Sequence, residues 1–394
     1  MHHGAGPGTL IIAERALPDR GGLAVASSRI AAHAAARAPG RVHLLALSSD
    51  APPGGRAARR QQHEAGDVAL HLVGPLPSQG DTLMALTDHA LELIDAHALD
   101  LVHGVYATRA GYVATIAAAA RGLPSIVSLR GNDLDRGLFR AGELPFLQHA
   151  LTRASFVTGV SRALCERASR VFGRPVAHIT NSVDATVFKP ETRDNSLVAS
   201  LGLAGATVIG FAGELREKKG MRYLLPAFAE VCRRRDAHLL LIGGVRRDAE
   251  EALAAFARAA PEAHARIHAL DYARKPARLC GLLALCDLMV FPSLQEGTPN
   301  AVLEAMAAER LVLATAVGGH LDLITHGEHG ALLPLDELDR LPGAIEEMLE
   351  LPEETRSRMT AAARARVIAA HAPADEQAAY AELYARARGA TRAS

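Results

Sequence analysis

The sequence predicts a two-domain α/β protein in which each domain is a Rossmann-like, doubly wound parallel sheet. Three observations carry that expectation. The chain has 394 residues, 49% of them hydrophobic, which is more than one core of ordinary size uses. Short β-type runs alternate with Ala-rich helical runs from end to end, the pattern of parallel sheets covered by helices on both faces. One stretch, DATVFKPETRDNSLVASLGLAG at 184–205, carries a Pro, several charges and weak periodicity, and it divides the strands into two series.

The first series reads TLIIAE (9–14), VHLLALS (42–48), ALHLVG (69–74), LVHGV (101–105), SIVSLRG (125–131), FVTGVS (156–161) and VAHITN (176–181). The second reads TVIGFAG (207–213), HLLLIGG (238–244), RIHAL (266–270), LMVFPS (288–293), LVLATAVGG (311–319) and GALLP (330–334). The expected domains are therefore 1–190 and 206–374, joined by a linker at 191–205. Beyond residue 338 the chain reads as charged helix broken at Pro352 and Pro373, so a last helix at about 375–388 is free to leave the second domain and pack back on the first.

Charge excludes one class of partner. With 43 Lys+Arg against 43 Asp+Glu there is no global positive field for nucleic acid to meet. Cys165, Cys232, Cys280 and Cys286 lack metal-type spacing and read as reduced, small apolar residues. Every apolar run is interrupted before membrane-spanning length, so the expectation is a cytoplasmic protein without a transmembrane segment, open to peripheral membrane contact. His2-His3 reads as a flexible start, and GAGPG at 4–8 precedes its strand where a dinucleotide fingerprint would follow one.

Doubly wound sheets hold ligands at the carboxyl ends of their strands, beside helix N-termini. After the first strand, Asp19-Arg20-Gly21-Gly22 opens a helix, and Gly21 and Gly22 would let backbone N–H groups approach an anion. After the first strand of the second series, GELREKKG (213–220) sets Arg216, Lys218 and Lys219 just ahead of a helix. Only four residues of the chain are lysines, so an adjacent pair there is a local choice, and cations beside a helix N-terminus suggest an anion between them. No G-x-x-x-x-G-K-[ST] is present, which excludes a P-loop nucleotide hydrolase. In FPSLQEGTPNAVLEAMAAERLVLATAVGG (291–319), Thr298 reads as an N-cap and Pro299 as the first helical residue. Glu296 then precedes the helix and Glu304 lies inside it. Two carboxylates so spaced can hold different parts of one elongated ligand while the backbone N–H groups of residues 299–301 face its anionic middle.

These residues resemble a known family, the retaining GT-B glycosyltransferases of glycosyltransferase family 4. The phrase PSLQEGTPNAVLEAMAAE matches the family's Glu, seven residues, Glu signature, and the likeness runs in order through Gly21-Gly22, Asn181-Ser182-Val183-Asp184, Phe188, Pro190, the basic loop, Gly318-Gly319 and Gly330. The resemblance implies two Rossmann-like domains facing a central cleft. It also implies sugar transfer from a nucleotide-diphosphate sugar to a hydroxyl acceptor, with retention. Glu296 would hold hydroxyls of the donor sugar, Glu304 the nucleotide ribose, and Lys219 with the backbone of Thr298, Pro299 and Asn300 the diphosphate. Two positions depart from the pattern. Glu214 stands where the family has Arg, which makes Arg216 the substitute, and Arg130 ends a strand that in the family ends in His-Gly. An Arg stays protonated and accepts no hydrogen bond, so Arg130 would read negative charge, or pair structurally with Asp133 or Asp135. Asp133-Leu134-Asp135 mimics a metal motif, yet the diphosphate already has cationic partners, so neither a metal nor another cofactor is expected. Three other readings share this architecture: a pseudo-glycosyltransferase, a nucleotide-sugar epimerase or phosphorylase, and a nucleotide-sugar-binding protein without turnover.

Overall fold

The computed structural model describes residues 6–19, 21–62 and 66–392. His2, His3 and Arg20 lie outside them. The chain forms two compact units, Met1–Asn181 with Ala374–Ser394, and Ser182–Pro373.

The first unit is built on eight strands: β1 Thr9–Ala13, β2 Val42–Leu47, β3 Arg56–Gln61, β4 Val68–Val73, β5 Leu101–Val105, β6 Ser125–Leu129, β7 Phe156–Gly159 and β8 Ala177–His178. Their order is β3-β4-β2-β1-β5-β6-β7-β8, parallel except for β3, which pairs antiparallel with β4. Along β1, Leu10 and Ile12 join one core cluster, while Ile11 and Ala13 join the cluster on the opposite face. Burial on both faces is what an unbroken apolar strand signals. β3 has no counterpart among the expected strands. Its sequence, RAARRQ, is largely exposed, and charges of this kind blunt a sheet edge against pairing with another chain.

The second unit has six strands, β9 Thr207–Ala212, β10 Ala237–Ile242, β11 Ile267–Leu270, β12 Leu288–Phe291, β13 Leu311–Thr315 and β14 Ala331–Leu333. All are parallel, in the order β11-β10-β9-β12-β13-β14. The stretch 191–205, expected as a linker, is part of this unit. Asp194 caps a helix, Asn195–Ser200, by accepting from the Ser196 N–H at 2.8 Å. Leu197, Val198 and Leu201 pack on the core, with Leu203 buried in it. Arg193 meets Asp287 at 2.5 Å, and Asp287 in turn accepts from the Val208 N–H at 2.8 Å. Apolar residues hidden in a charged sequence tie the stretch down.

The last helix, Pro373–Arg392, packs on the first unit. Tyr380, Leu383, Tyr384 and Ala387 enter its core, and Arg388 donates to Asp100 at 2.9 Å. No helix among the described residues is long and apolar enough to cross a membrane.

Candidate active site

The strand order of the second sheet places the site. The chain starts at β9, builds outward to β11, then returns to β12 beside β9, so the topological switch point lies between β9 and β12. The loops leaving those two strands carry the basic segment 213–220 and the segment 292–299. They touch closely: the Leu294 N–H donates to the Lys218 carbonyl at 2.9 Å. Gly220, at φ +76°, has no room for a side chain because a Cβ there would collide with the Pro292 carbonyl.

Lys219 and Glu296 meet across this contact. Lys219 Nζ donates to Glu296 Oε1, and the two side chains are only 18% and 9% exposed. Ser293 Oγ donates to the same oxygen at 2.7 Å. Burial works to raise the Glu296 carboxyl, but the charge of Lys219, helped by His320 and Lys218 and by the Lys219 hydrogen bond, holds it down at about 2. Glu296 is therefore ionised near neutral pH. It accepts hydrogen bonds and has no proton to give.

A third loop, after β13, completes the floor. A Cβ on Gly319 would collide with the Gly297 carbonyl, so backbone packs directly on backbone there. His320 follows it, fully buried, with Nδ1 2.7 Å from the Thr315 carbonyl. The Thr315 hydroxyl donates to the Ser293 carbonyl. Neither Ser293, Thr315 nor His320 was expected as part of the site. Ser293 lies inside the signature phrase and His320 directly after the glycine pair, so position was the only signal.

Other expected residues fall at the same strand ends. Arg216 is half-buried and extended, and its Nε meets no hydrogen-bond acceptor among the described residues. Glu214 beside it is exposed. The helix runs Asn300–Ala307, with Pro299 as its cap at ψ 114°, which corrects the expected cap at Thr298. Gly319 holds Gly297 and Thr298 against the neighbouring loop, and the helix starts only beyond that contact. Proline has no N–H, so the backbone donors of the helix begin at Asn300. Glu304 lies in this helix, half-buried.

Gly21, Gly22 and Arg130 belong to the first unit. Gly21, at φ +105°, caps the helix Gly22–Arg37 after β1, which is the switch strand between β2 and β5. Arg130 follows β6. Its side chain pairs with neither Asp133 nor Asp135: Nη2 donates to Asn181 Oδ1 at 2.5 Å, and Nη1 is buried without a hydrogen-bond partner among the described residues. Asp133 instead accepts from the backbone N–H groups of Ala107 (2.9 Å), Arg130 (3.0 Å) and Gly131 (2.8 Å), while Asp135 pairs with Arg167 at 2.7 Å. The two carboxylates of the Asp-x-Asp triplet thus serve different protein donors.

Comparison with known proteins bears on the family and the fold. The model of "Glycosyl transferases group 1" matches residues 206–351 and that of "Glycosyltransferase Family 4" matches residues 20–187. A D-inositol 3-phosphate glycosyltransferase of Corynebacterium diphtheriae is 31% identical over 48% of this chain, which spans 45% of that relative's length. A GDP-mannose-dependent alpha-mannosyltransferase of Mycolicibacterium smegmatis is 26% identical over 91% of this chain and 92% of its own. Among solved structures, sucrose-phosphate synthase from Thermosynechococcus elongatus superposes with a TM-score of 0.81 at 18% identity, covering 98% of this chain and 100% of that one. Anabaena HepE, solved in complex with UDP-glucose, gives 0.79 at 20% identity over 96% and 99%. The chain belongs to glycosyltransferase family 4 and has the GT-B fold.

Proposed function

We propose that this glycosyltransferase takes its sugar from a nucleotide-diphosphate sugar bound by the second unit and passes it to a hydroxyl acceptor with retention, without a metal or other cofactor. The observation that carries the reading is the largely buried Lys219–Glu296 pair at the switch point, beside the start of the helix Asn300–Ala307. An ionised Glu296 is suited to accept from sugar hydroxyls. Lys219, the unengaged Nε of Arg216 and the N–H groups at the start of the helix are suited to the diphosphate, whose charge grows as it departs. Thr298, Pro299 and Asn300 line that helix start, and Glu304 is the contact for the ribose. Gly21 and Gly22 offer an anion-tolerant helix start in the first unit, and Arg130, with one nitrogen unengaged, reads negative charge there. No nucleophilic carboxylate is required if the leaving phosphate itself takes the acceptor's proton. The setting is the cytoplasm.

The test is release of nucleoside diphosphate from UDP-glucose, GDP-mannose and related donors, with and without alcohol acceptors, in excess chelator. Acceptor-dependent release that persists with chelator is expected, with an unchanged anomeric configuration in the product. Sugar interconversion without an acceptor would mark an epimerase, and binding without release a protein that has no turnover. A loss reversed by Mg²⁺ or Mn²⁺ would overturn the metal-free part.

A further inference from the structure

We propose that His320 is a positioning residue for Glu296: it takes up a proton at Nε2 whenever Lys219 is drawn away, so that Glu296 keeps its charge and its place while the lysine serves an anion. The inference rests on the reading above, in which the donor diphosphate is that anion.

The geometry of the ring is unusual for a structural histidine. A carbonyl oxygen only accepts, so the 2.7 Å contact to Thr315 fixes a hydrogen on Nδ1. Nε2 is then the titrating atom. It is buried, with no hydrogen-bond partner among the described residues. His103, equally buried in the first unit, shows the contrast: its Nδ1 meets the Tyr384 hydroxyl and its Nε2 the Ser128 hydroxyl, both at 2.8 Å. Buried polar atoms are ordinarily satisfied in that way, and an orphaned nitrogen at a ligand site calls for an explanation.

Its neighbours supply one. His320 follows the glycine that packs on the 296–298 turn, and a chain of contacts runs from its ring through Thr315 and Ser293 to Glu296 Oε1. Burial keeps the ring neutral. Of the charges that reach it from the packed loops, Glu296 favours a proton on the ring and Lys219 opposes it. Drawing Lys219 away removes the opposing charge and strips Glu296 of its counter-ion. A buried carboxylate without a counter-charge is strongly disfavoured, and a proton from solvent on His320 Nε2 restores the balance. It returns to solvent when the product leaves and Lys219 comes back.

The test is the imidazole nitrogen spectrum of the full chain, recorded by long-range ¹H–¹⁵N NMR, with the His320 signals identified by their loss in His320→Asn. In the wild type at pH 7 Nε2 should read as unprotonated. In Lys219→Met, and in the more polar Lys219→Gln should the first fold poorly, it should carry a proton at pH 7, with a midpoint raised by at least one pH unit. Adding Glu296→Gln to either variant should return the ring to neutral. A neutral Nε2 down to pH 5 in the lysine variants, or a charged one in the double variant, overturns the proposal. No donor is present in the sample, so failure of the donor reading leaves this result standing, and a neutral His320 defeats the inference whatever the donor proves to be.

Discussion

In the second unit the polar groups buried at the strand ends include a full ion pair, Lys219–Glu296, together with an imidazole that has a nitrogen to spare. In the first unit one set of groups buried along the strands, apart from Arg130 and Asp133, forms a closed, neutral chain: Tyr384, His103, Ser128 and Thr158, linked by contacts of 2.8, 2.8 and 2.6 Å. The difference lies in what each arrangement leaves over. A neutral chain with both histidine nitrogens used holds the C-terminal helix to β5, β6 and β7 and has nothing to offer a ligand. An ion pair held between two loops offers a cation and an anion as soon as a better partner arrives.

Charge is used in the first unit where it fastens the last helix. Glu376, 4% exposed, accepts from Arg29 Nε at 2.7 Å and faces His33 Nε2 at 3.4 Å. Removing one partner of such a pair leaves the other uncompensated, so Glu376→Ala should destabilise the first unit by about 3 kcal/mol or more. Arg340 and Glu337 form an exposed pair three residues apart in the second unit, and Glu337→Ala should cost under about 0.5 kcal/mol. Urea midpoints of the two variants measure the gap, and equal small losses would mean that Glu376 does not fasten the helix.

Acid should sharpen the comparison. In the first unit burial lowers His43 and His103 to about 3 and His71 to about 4, with neighbouring histidines and arginines adding to it. The unfolded chain takes these protons near 6.5 and the folded one does not, so their contribution is present above 6.5 and is lost as pH falls toward 4. Asp133, raised by burial to about 6, binds its proton more readily when folded and offsets one of the three below pH 6. The net expectation is a loss of roughly 3 kcal/mol per pH unit between pH 6 and 4. Glu296 acts lower: its contribution holds above 4.5 and is lost only as pH falls toward 2. A urea midpoint for the first unit that stays flat from pH 7 to 5 would contradict this.

The sequence was most legible where one strand or one loop decides the outcome. Apolar runs such as LIIA and LMVF give strands whatever their neighbours do, while RAARRQ becomes β3 only because β4 is there to pair with it. Lys219 and Glu296 each stand out locally, one in a basic loop and one just ahead of a helix. That they pair with each other, 77 residues apart, follows from the strand order that sets β9 beside β12. Tyr384 and His103 are separated by 281 residues, and no local pattern joins a helix at the end of the chain to β5. The cap at Pro299, one residue later than expected, reflects a contact with Gly319 that no local signal at Thr298 reveals.

Lys219 is proposed to hold the donor in the second unit, while Arg130 serves another step. Calorimetric titration of the wild type, Lys219→Met and Arg130→Lys with UDP-glucose and GDP-mannose tests it most directly. For the nucleotide sugar that the wild type binds, Lys219→Met should weaken the affinity by about 100-fold, or roughly 2.7 kcal/mol, and Arg130→Lys should leave it within about twofold. An unchanged affinity in Lys219→Met, or a loss confined to Arg130→Lys, would contradict the account.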